Sequence, residues 1–306
     1  MLIAFVHSGQ SFMPEINAYV NYFTSKNISC IVTSKEKVSS IKRDVEWFFL
    51  GADHSKLQKN VLRIHEYTST STPPLASIKN FLKTEFSTKP HYRIFLNSFV
   101  QKKLGFMDNI PFGLRDMGIS EKWLTSTETT IEKKNDFIYI GETSAKRKID
   151  TLLMPFAGGK LRDRNILIVS KKYEALQKQF SKFPNIKFEG PVKHDDIKNL
   201  LLASRYAINY IPNQEPFNKQ TSTKFLEYAA TRTPIVSTEY EWLSEFKKKF
   251  GGNYFYLKPD LSNLNWGAVN DFNYSFPDLS EWTWEKQITQ SGVLDFLKLK
   301  LPGAFS

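Results

Sequence analysis

The sequence predicts an α/β protein built from two doubly wound, Rossmann-like domains that face a common cleft. Short apolar segments typical of strands alternate with longer amphipathic segments typical of helices, on both sides of a polar stretch near the middle of the chain. Such alternation indicates parallel strands joined by crossover helices that cover both faces of a sheet. At 306 residues the chain is long enough for two domains of ordinary size.

The predicted domain boundaries follow shifts in composition. Residues 1–119 form a first domain, and residues 120–135, rich in Ser, Thr, Glu and Lys, form a linker. Residues 136–259 form a second domain. The tail, residues 260–306, is richer in Trp and Phe, and its segment 284–301 reads as a closing helix packed back across the domains.

The individual strands are predicted from apolar runs bounded by turn residues. In the first domain Leu2–Val6 is followed by a glycine turn at Gly9 and by a helical pattern from Pro14. Further strands are expected at residues 28–33, 61–65 and 93–96, with Lys- and Glu-rich segments between them that are long enough for crossover helices. In the second domain strands are expected at residues 137–141, 165–169, 186–189, 206–211, 234–238 and 254–257.

Composition and charge limit the class of protein. Hydrophobic residues make up 41% of the chain and charged residues 24%, which is typical of a globular protein. The net charge of +11 favours phosphates, anionic lipid surfaces or nucleic acid without selecting among them. The single Cys30 excludes a disulfide framework within the chain, so we expect a cytoplasmic protein. No apolar run is long enough to span a bilayer.

The segment from Asn209 to residue 238 carries the strongest chemical signal. It reads as a strand, a polar loop, a helix and a second strand. Ser222 and Thr223 are good helix N-caps, and a helix start beside Lys224 suits a phosphate group. Glu227, one turn later, suits the vicinal diol of a ribose. The alternative is a surface helix on which Lys224 and Glu227 form a solvated pair of little energetic consequence.

Residues 136–257 resemble the nucleotide-sugar domain of the group 1 (family 4-like) glycosyltransferases of the GT-B fold. This resemblance implies transfer of a sugar from a nucleotide diphosphate sugar, as co-substrate, to a saccharide or lipid-linked saccharide in bacterial-type surface polysaccharide assembly. It also implies retention of anomeric configuration without a metal or other cofactor. The resemblance rests on the order of segments 137–141, Arg147, 165–169, 185–192, 222–228 and 234–238.

The resemblance also implies roles for particular residues of this chain. Glu227 corresponds to the residue that holds the ribose, while Arg147 and Lys224 correspond to the pair that clasps the diphosphate. Lys146, Lys148 and Lys171 are alternatives for the phosphate contact. The backbone around Val192, after a predicted strand, is expected to meet the nucleotide base.

One position departs from the family pattern. The paired-glutamate form of the motif has another Glu eight residues before Glu227, where this chain has Lys219. Glu215 is the nearest acid, at the wrong spacing. The donor-sugar contact of that first Glu is therefore not carried over.

In the first domain two residues are expected near the ligand. Gly9 permits a tight turn and a close backbone approach after the first strand. His65 lies at the end of a predicted strand, at the sheet edge that lines the predicted cleft. The family resemblance implies that a histidine near this place faces the transferred sugar in a catalytic role, and a structural role is the open alternative. His7 and Asp116 are further candidates for the same space.

Two other functions remain open on the sequence alone. The first is epimerisation or hydrolysis of a nucleotide sugar on a similar fold. The second is a basic nucleic-acid-binding module, although no nucleic-acid motif is present and we expect no such partner. Residues 1–118 hold 15 Lys plus Arg against 9 Asp plus Glu, which suits peripheral attachment to the inner face of an anionic membrane.

Overall fold

The computed structural model describes residues 1–7, 9, 13–50, 53–71, 75–124 and 131–305. The chain divides into two compact units. The first is formed by Met1–Ser120 together with Glu281–Ser306, and the second by Glu121–Ser280. Each unit contains a six-stranded sheet. The predicted α/β class with two doubly wound sheets is confirmed.

The elements of both units are numbered in chain order. The strands are β1 Leu2–Val6, β2 Ser29–Thr33, β3 Val45–Phe49, β4 Leu62–Tyr67, β5 Tyr92–Phe95, β6 Phe112–Leu114, β7 Asn135–Ile140, β8 Ile166–Val169, β9 Ile186–Glu189, β10 Ser204–Asn209, β11 Ile235–Thr238 and β12 Phe255–Leu257. The helices are α1 Pro14–Thr24, α2 Ala76–Phe86, α3 Ser98–Leu104, α4 Glu121–Leu124, α5 Ile149–Ala157, α6 Glu174–Gln179, α7 His194–Leu202, α8 Thr223–Ala230, α9 Glu241–Phe250, α10 Trp266–Asn270, α11 Trp284–Gln290 and α12 Val293–Lys300.

The first sheet has the strand order β2-β1-β3-β4-β5-β6, and all its neighbouring strands are parallel. Its core is strongly aromatic. The ring centroids of Tyr19 on α1 and Trp47 on β3 lie 4.4 Å apart, and Phe5 and Phe23 pack against the same cluster. Burying large aromatic side chains in this way contributes much of a core's stability. Helices α11 and α12 complete this core, so the end of the chain belongs to the first unit.

Three features of the first unit differ from the sequence prediction. Strand β3 occupies a stretch that was expected to contain only a crossover helix, and β6 was not predicted. The charge of Glu46 obscures β3 in the sequence, but the buried carboxylate is paired with Arg43 and Arg63. The predicted closing helix is two helices, because Gly292 adopts the left-handed conformation between them.

The second sheet has the strand order β12-β11-β10-β7-β8-β9, again parallel throughout. All six predicted strands are present, with ends that differ by no more than two residues. The core beneath them joins strand residues such as Phe137 and Ile208 to Leu152 and Phe156 of α5. These strands are apolar on both faces, as expected for a parallel sheet covered by helices.

The predicted linker and the predicted tail both contain regular secondary structure. The predicted linker at 120–135 includes α4 and the first residue of β7, and its residues 125–130 lie outside the described residues. The predicted tail is divided, since residues 260–280 belong to the second unit and residues 281–306 to the first. None of the described helices has the length and hydropathy needed to cross a bilayer.

Candidate nucleotide-binding site

The second sheet reverses its direction of winding between β7 and β10. From β7 the chain passes outward to β8 and β9, and then returns to build β10, β11 and β12 on the other side of β7. Because β7 and β10 are parallel neighbours, their carboxyl ends meet at one edge with diverging connections. In open α/β sheets this switch point is where ligands bind.

A pocket with a cavity volume of about 140 Å³ lies at this switch point. Strand β7 contributes its last residue, Ile140, and β10 contributes its last residue, Asn209. The start of α8 and the loop before it supply five polar lining residues, Gln220 to Lys224. The full lining is Tyr139, Ile140, Glu142, Arg147, Ile208, Asn209, Tyr210, Ile211, Phe217, Gln220, Thr221, Ser222, Thr223 and Lys224.

The start of helix α8 is held against the end of β10. Ser222 is the N-cap, and its hydroxyl oxygen accepts a hydrogen bond from the Phe225 backbone N–H at 3.3 Å. The same hydroxyl donates to Asn209 Oδ1 at 2.8 Å, while Asn209 Nδ2 donates to Ser237 Oγ at 2.9 Å. The predicted cap at Ser222 is therefore present. A capped helix start directed at a pocket presents the positive end of the helix dipole to an anion.

Lys224 adds a full positive charge in the first turn of α8, where its side chain passes closely over Gly141. A Cβ added to Gly141 would lie 2.9 Å from Lys224 Cε, so only glycine leaves room for this path. Burial lowers the pKa of Lys224, the carboxylate of Glu227 opposes this shift, and Arg147 reinforces it. An anionic ligand in the pocket would relieve the cost of holding this cation out of water.

Arg147 supplies the second cation of the pocket. Its guanidinium lies over the ring of Phe217, with 4.1 Å from Cζ to the centroid, and its Nε donates to Glu142 Oε2 at 3.2 Å. The side chain is 20% exposed, so the group is restrained but accessible. The alternatives Lys146 and Lys148 are not among the lining residues. The structure thus places Arg147 and Lys224 around one cavity.

Glu227 does not have the exposed position that the sequence suggested. It is 5% exposed, is absent from the described pocket lining, and accepts a hydrogen bond from His194 Nε2 at 2.8 Å. The His194 ring in turn packs against Trp123, with centroids 5.2 Å apart. The side of α8 that carries Glu227 is covered by α4 and by His194, the first residue of α7. The ribose contact of Glu227 stays a prediction.

Lys219, the residue that departs from the family pattern, forms an ion pair. Lys219 Nζ contacts Glu241 Oε2, so the lysine is bound to the start of α9. The carboxylate in the pocket lining belongs to Glu142, which the sequence analysis did not single out. Glu142 comes directly after Gly141, which follows β7, and this position in the sequence could have identified it.

Gln220 is a further lining residue that sequence reasoning missed. Its side-chain nitrogen, Nε2, is buried and has no hydrogen-bond partner among the described residues. Buried donors are nearly always satisfied in folded proteins, so this amide is suited to an acceptor on a bound ligand or to a water. A single Gln in a polar loop carries no sequence signal of such a role.

The remaining predicted residues are not among the lining residues of this pocket. Val192 follows β9, the edge strand of the second sheet, and is absent from the described lining. Gly9 belongs to the first unit, where it has a positive φ of 72° and its N–H donates to His7 Nδ1 at 3.1 Å. The rest of the turn predicted there, residues 8 and 10–12, lies outside the described residues. Asp116 Oδ1 accepts a hydrogen bond from the Met117 backbone N–H at 2.7 Å.

His65 was predicted at the end of a strand, and this is wrong. Strand β4 continues to Tyr67, and the His65 side chain is completely buried. Its Nε2 lies 3.2 Å from Asp53 Oδ2, and Asp53 also pairs with Arg63 at 2.9 Å. Burial lowers the pKa of His65, and the hydrogen bond to Asp53 opposes this shift. This position favours the structural alternative that the sequence left open.

The first unit also corrects one expectation about its basic residues. Arg43 is one of the 15 basic residues of 1–118 on which the expected membrane attachment rests, but it is buried and paired with Glu46. In the described part of the chain, no three His, Cys, Asp or Glu side chains form a cluster that could hold a metal ion.

Solved structures match this chain across most of its length, although no protein-family model and no curated protein does. AviGT4, a glycosyltransferase involved in avilamycin A biosynthesis, is 12% identical with a TM-score of 0.58, over 98% of this chain and 96% of its own. Anabaena HepE, solved with UDP-glucose, is 13% identical with a TM-score of 0.63, over 88% and 89%. The UDP-GlcNAc 2-epimerase of Methanocaldococcus jannaschii is 10% identical with a TM-score of 0.57, over 97% and 100%.

At these identities the similarity establishes the fold and not the activity. The fold is that of the GT-B proteins, as the resemblance of residues 136–257 implied. Membership of the group 1 (family 4-like) glycosyltransferases remains a prediction.

Proposed function

We propose that this protein is a glycosyltransferase that moves a sugar from a nucleotide diphosphate sugar to a saccharide or lipid-linked saccharide. The observation that carries the proposal is the pocket at the β7–β10 switch point, where Arg147, Lys224 and the capped start of α8 surround one cavity. Two cations and a helix dipole suit a diphosphate. The GT-B fold is one on which solved relatives bind nucleotide sugars.

The proposed chemistry is displacement at the anomeric carbon of the donor. The bond from that carbon to the diphosphate oxygen breaks, the acceptor hydroxyl oxygen bonds to the carbon, and the hydroxyl proton passes to the leaving diphosphate or to solvent. The leaving diphosphate gains negative charge, which we expect Arg147 and Lys224 to stabilise. We include retention of configuration and metal independence in the proposal, on the family resemblance. The same resemblance supports a product for bacterial-type surface polysaccharide assembly.

A second candidate is epimerisation of the nucleotide sugar, since one solved structure of the same fold is a UDP-GlcNAc 2-epimerase. The two functions predict different products. A transferase gives free nucleoside diphosphate and a glycosylated acceptor, and it needs the acceptor for rapid turnover. An epimerase gives an isomeric nucleotide sugar with no acceptor. Product analysis of a labelled donor with and without acceptor distinguishes them.

The first experiment is a thermal-shift screen with UDP, GDP, dTDP, ADP and CMP. A ligand at ~100 times its dissociation constant stabilises the folded state by roughly 2.7 kcal/mol. One strong responder identifies the donor class, which is then used in the product assay.

Arg147→Ala tests the assignment of the pocket, with Lys146→Ala as its matched control in the same turn. We expect Arg147→Ala to weaken binding of the nucleoside diphosphate by about 1.5–3 kcal/mol and to leave binding of the nucleoside unchanged. Lys146→Ala should bind both ligands like the natural protein. No response to any nucleotide, or equal effects of the two variants, would refute the proposed site.

A further inference from the structure

Helix α2 of the first unit exposes an apolar stripe. Ile78, Phe81, Leu82 and Phe86 occupy positions i, i+3, i+4 and i+8, which share one face of a helix. Their exposures are 54%, 58%, 47% and 62%, although this spacing normally marks the face that packs on a core. We call these four residues the α2 stripe.

The opposite face of α2 attaches the helix to the unit. Asn80 is 5% exposed, and its Oδ1 accepts a hydrogen bond from the Ser71 backbone N–H at 3.0 Å. The buried residue of α2 is thus the polar Asn80, while the large apolar side chains of the helix face outward. Four large apolar side chains on one exposed helix face form a patch of the kind that marks an interaction site.

The charges around the stripe are mainly positive. Lys79 and Lys83 lie one turn apart beside it, and the neighbouring helix α3 carries exposed Lys102 and Lys103 in its last turn. Helix α2 itself contains one acidic residue, Glu85. An apolar helix face bordered by lysines is the pattern of helices that lie in the interface of an anionic bilayer.

We infer that the α2 stripe binds the interface of an anionic lipid membrane, with the lysines of α2 and α3 against the headgroups. This assigns the membrane attachment expected from the overall charge to one element of the fold. The inference does not rest on the proposed function, because lipid binding is measured without donor or acceptor.

The test is cosedimentation of the full chain with vesicles of phosphatidylcholine alone and of equimolar phosphatidylcholine and phosphatidylglycerol. We expect binding to the anionic vesicles only, with release as salt rises. Ile78→Ser with Phe81→Ser should lower the partition coefficient at least about tenfold. Lys79→Ser and Lys83→Ser should each lower it about fivefold.

A matched control uses two exposed apolar residues elsewhere. Met154 and Leu299 are 59% and 76% exposed on α5 and α12, so serine at both removes similar apolar area. We expect this control variant to bind anionic vesicles like the natural protein. Circular dichroism and melting temperature establish that each variant is folded.

A spectroscopic measurement locates the contact independently of affinity. Because Cys30 is the single cysteine, a Cys30→Ser background allows an environment-sensitive dye on Leu82→Cys or, as control, on Met154→Cys. Anionic vesicles should shift the emission of the first dye to the blue and not that of the second.

Three results would overturn the inference. The first is a natural protein that does not bind anionic vesicles, and the second is equal binding by the stripe variant and the control. The third is a dimer in solution that the stripe variant makes monomeric, which would assign the stripe to contact between copies of this chain.

Discussion

The side chain of Lys224 passes so close to Gly141 that a β-carbon at position 141 would lie 2.9 Å from Lys224 Cε. Gly141 directly follows β7, and Lys224 lies 83 positions later, in the first turn of α8. These two distant segments together therefore determine where the Lys224 ammonium group lies. A glycine directly after a strand is usually explained by the backbone turn that it allows. Here its lack of a side chain also gives the lysine a path into the pocket.

Gly141→Ala is predicted to displace Lys224 while the fold is retained, because the atoms that the new methyl group meets are the ends of the Lys224 and Tyr139 side chains. Affinity for the nucleoside diphosphate should fall about tenfold, and affinity for the nucleoside should not change. Calorimetry measures both. Gly158→Ala is the control, since a Cβ there meets nothing within 4 Å. Equal behaviour of the two variants would contradict the prediction.

The affinity for nucleoside diphosphate should fall at alkaline pH because of Lys224. Burial lowers the pKa of this lysine in the free protein, and a bound diphosphate favours the protonated form and raises it again. Affinity is therefore full below the lowered pKa and decreases as pH rises through it. Lys224→Arg should remove this part of the decrease, because a guanidinium stays protonated. Matching pH profiles for the two proteins would show that Lys224 does not meet the diphosphate.

Glu227→Gln tests whether the buried carboxylate reaches the ribose. If it does, the variant should bind the nucleoside diphosphate about 1.5–3 kcal/mol more weakly. The natural protein and the variant should then bind the 2′,3′-dideoxy analogue alike, because that ligand lacks the diol. A loss of equal size for both ligands would instead assign Glu227 a structural role through His194.

His65→Ala is predicted to act on stability. Removing this buried ring leaves a cavity and breaks the contact with Asp53, at a cost of about 2–4 kcal/mol in the free energy of unfolding. Denaturant unfolding measures this change, and turnover per folded molecule should stay near that of the natural protein. A large loss of turnover at unchanged stability would restore the catalytic alternative.

The lowered pKa of His65 predicts that the free energy of unfolding depends on pH. The pKa of His65 is lowered from 6.5 in the folded protein, so the unfolded chain binds the proton more strongly. The stability that neutral His65 contributes is present above pH 6.5 and is lost as pH falls toward the lowered pKa. The difference in unfolding free energy between the natural protein and His65→Gln should therefore shrink with acidification. A constant difference across this range would mean that His65 does not titrate on unfolding.

The sequence was most informative where a pattern is local. The second sheet was predicted strand by strand, because each strand is a short apolar run and each connection contains a helical period. The N-cap at Ser222 was predicted for the same reason, since a cap depends on its own residue and on the next few backbone groups. Strand β3 was missed because Glu46 reads as polar until Arg43 and Arg63 are known to neutralise it.

By itself, the sequence determined the α/β class, the two sheets and the presence of basic and acidic groups around one helix. Only the tertiary structure decided which groups share a pocket. Arg147 and Lys224 are far apart in the chain and line the same cavity, whereas Glu227 is one turn from Lys224 and is covered by His194. The physical reason is that local propensity depends on near neighbours. Burial and pairing instead depend on which helices pack over each face, and this is set by contacts between residues distant in the chain.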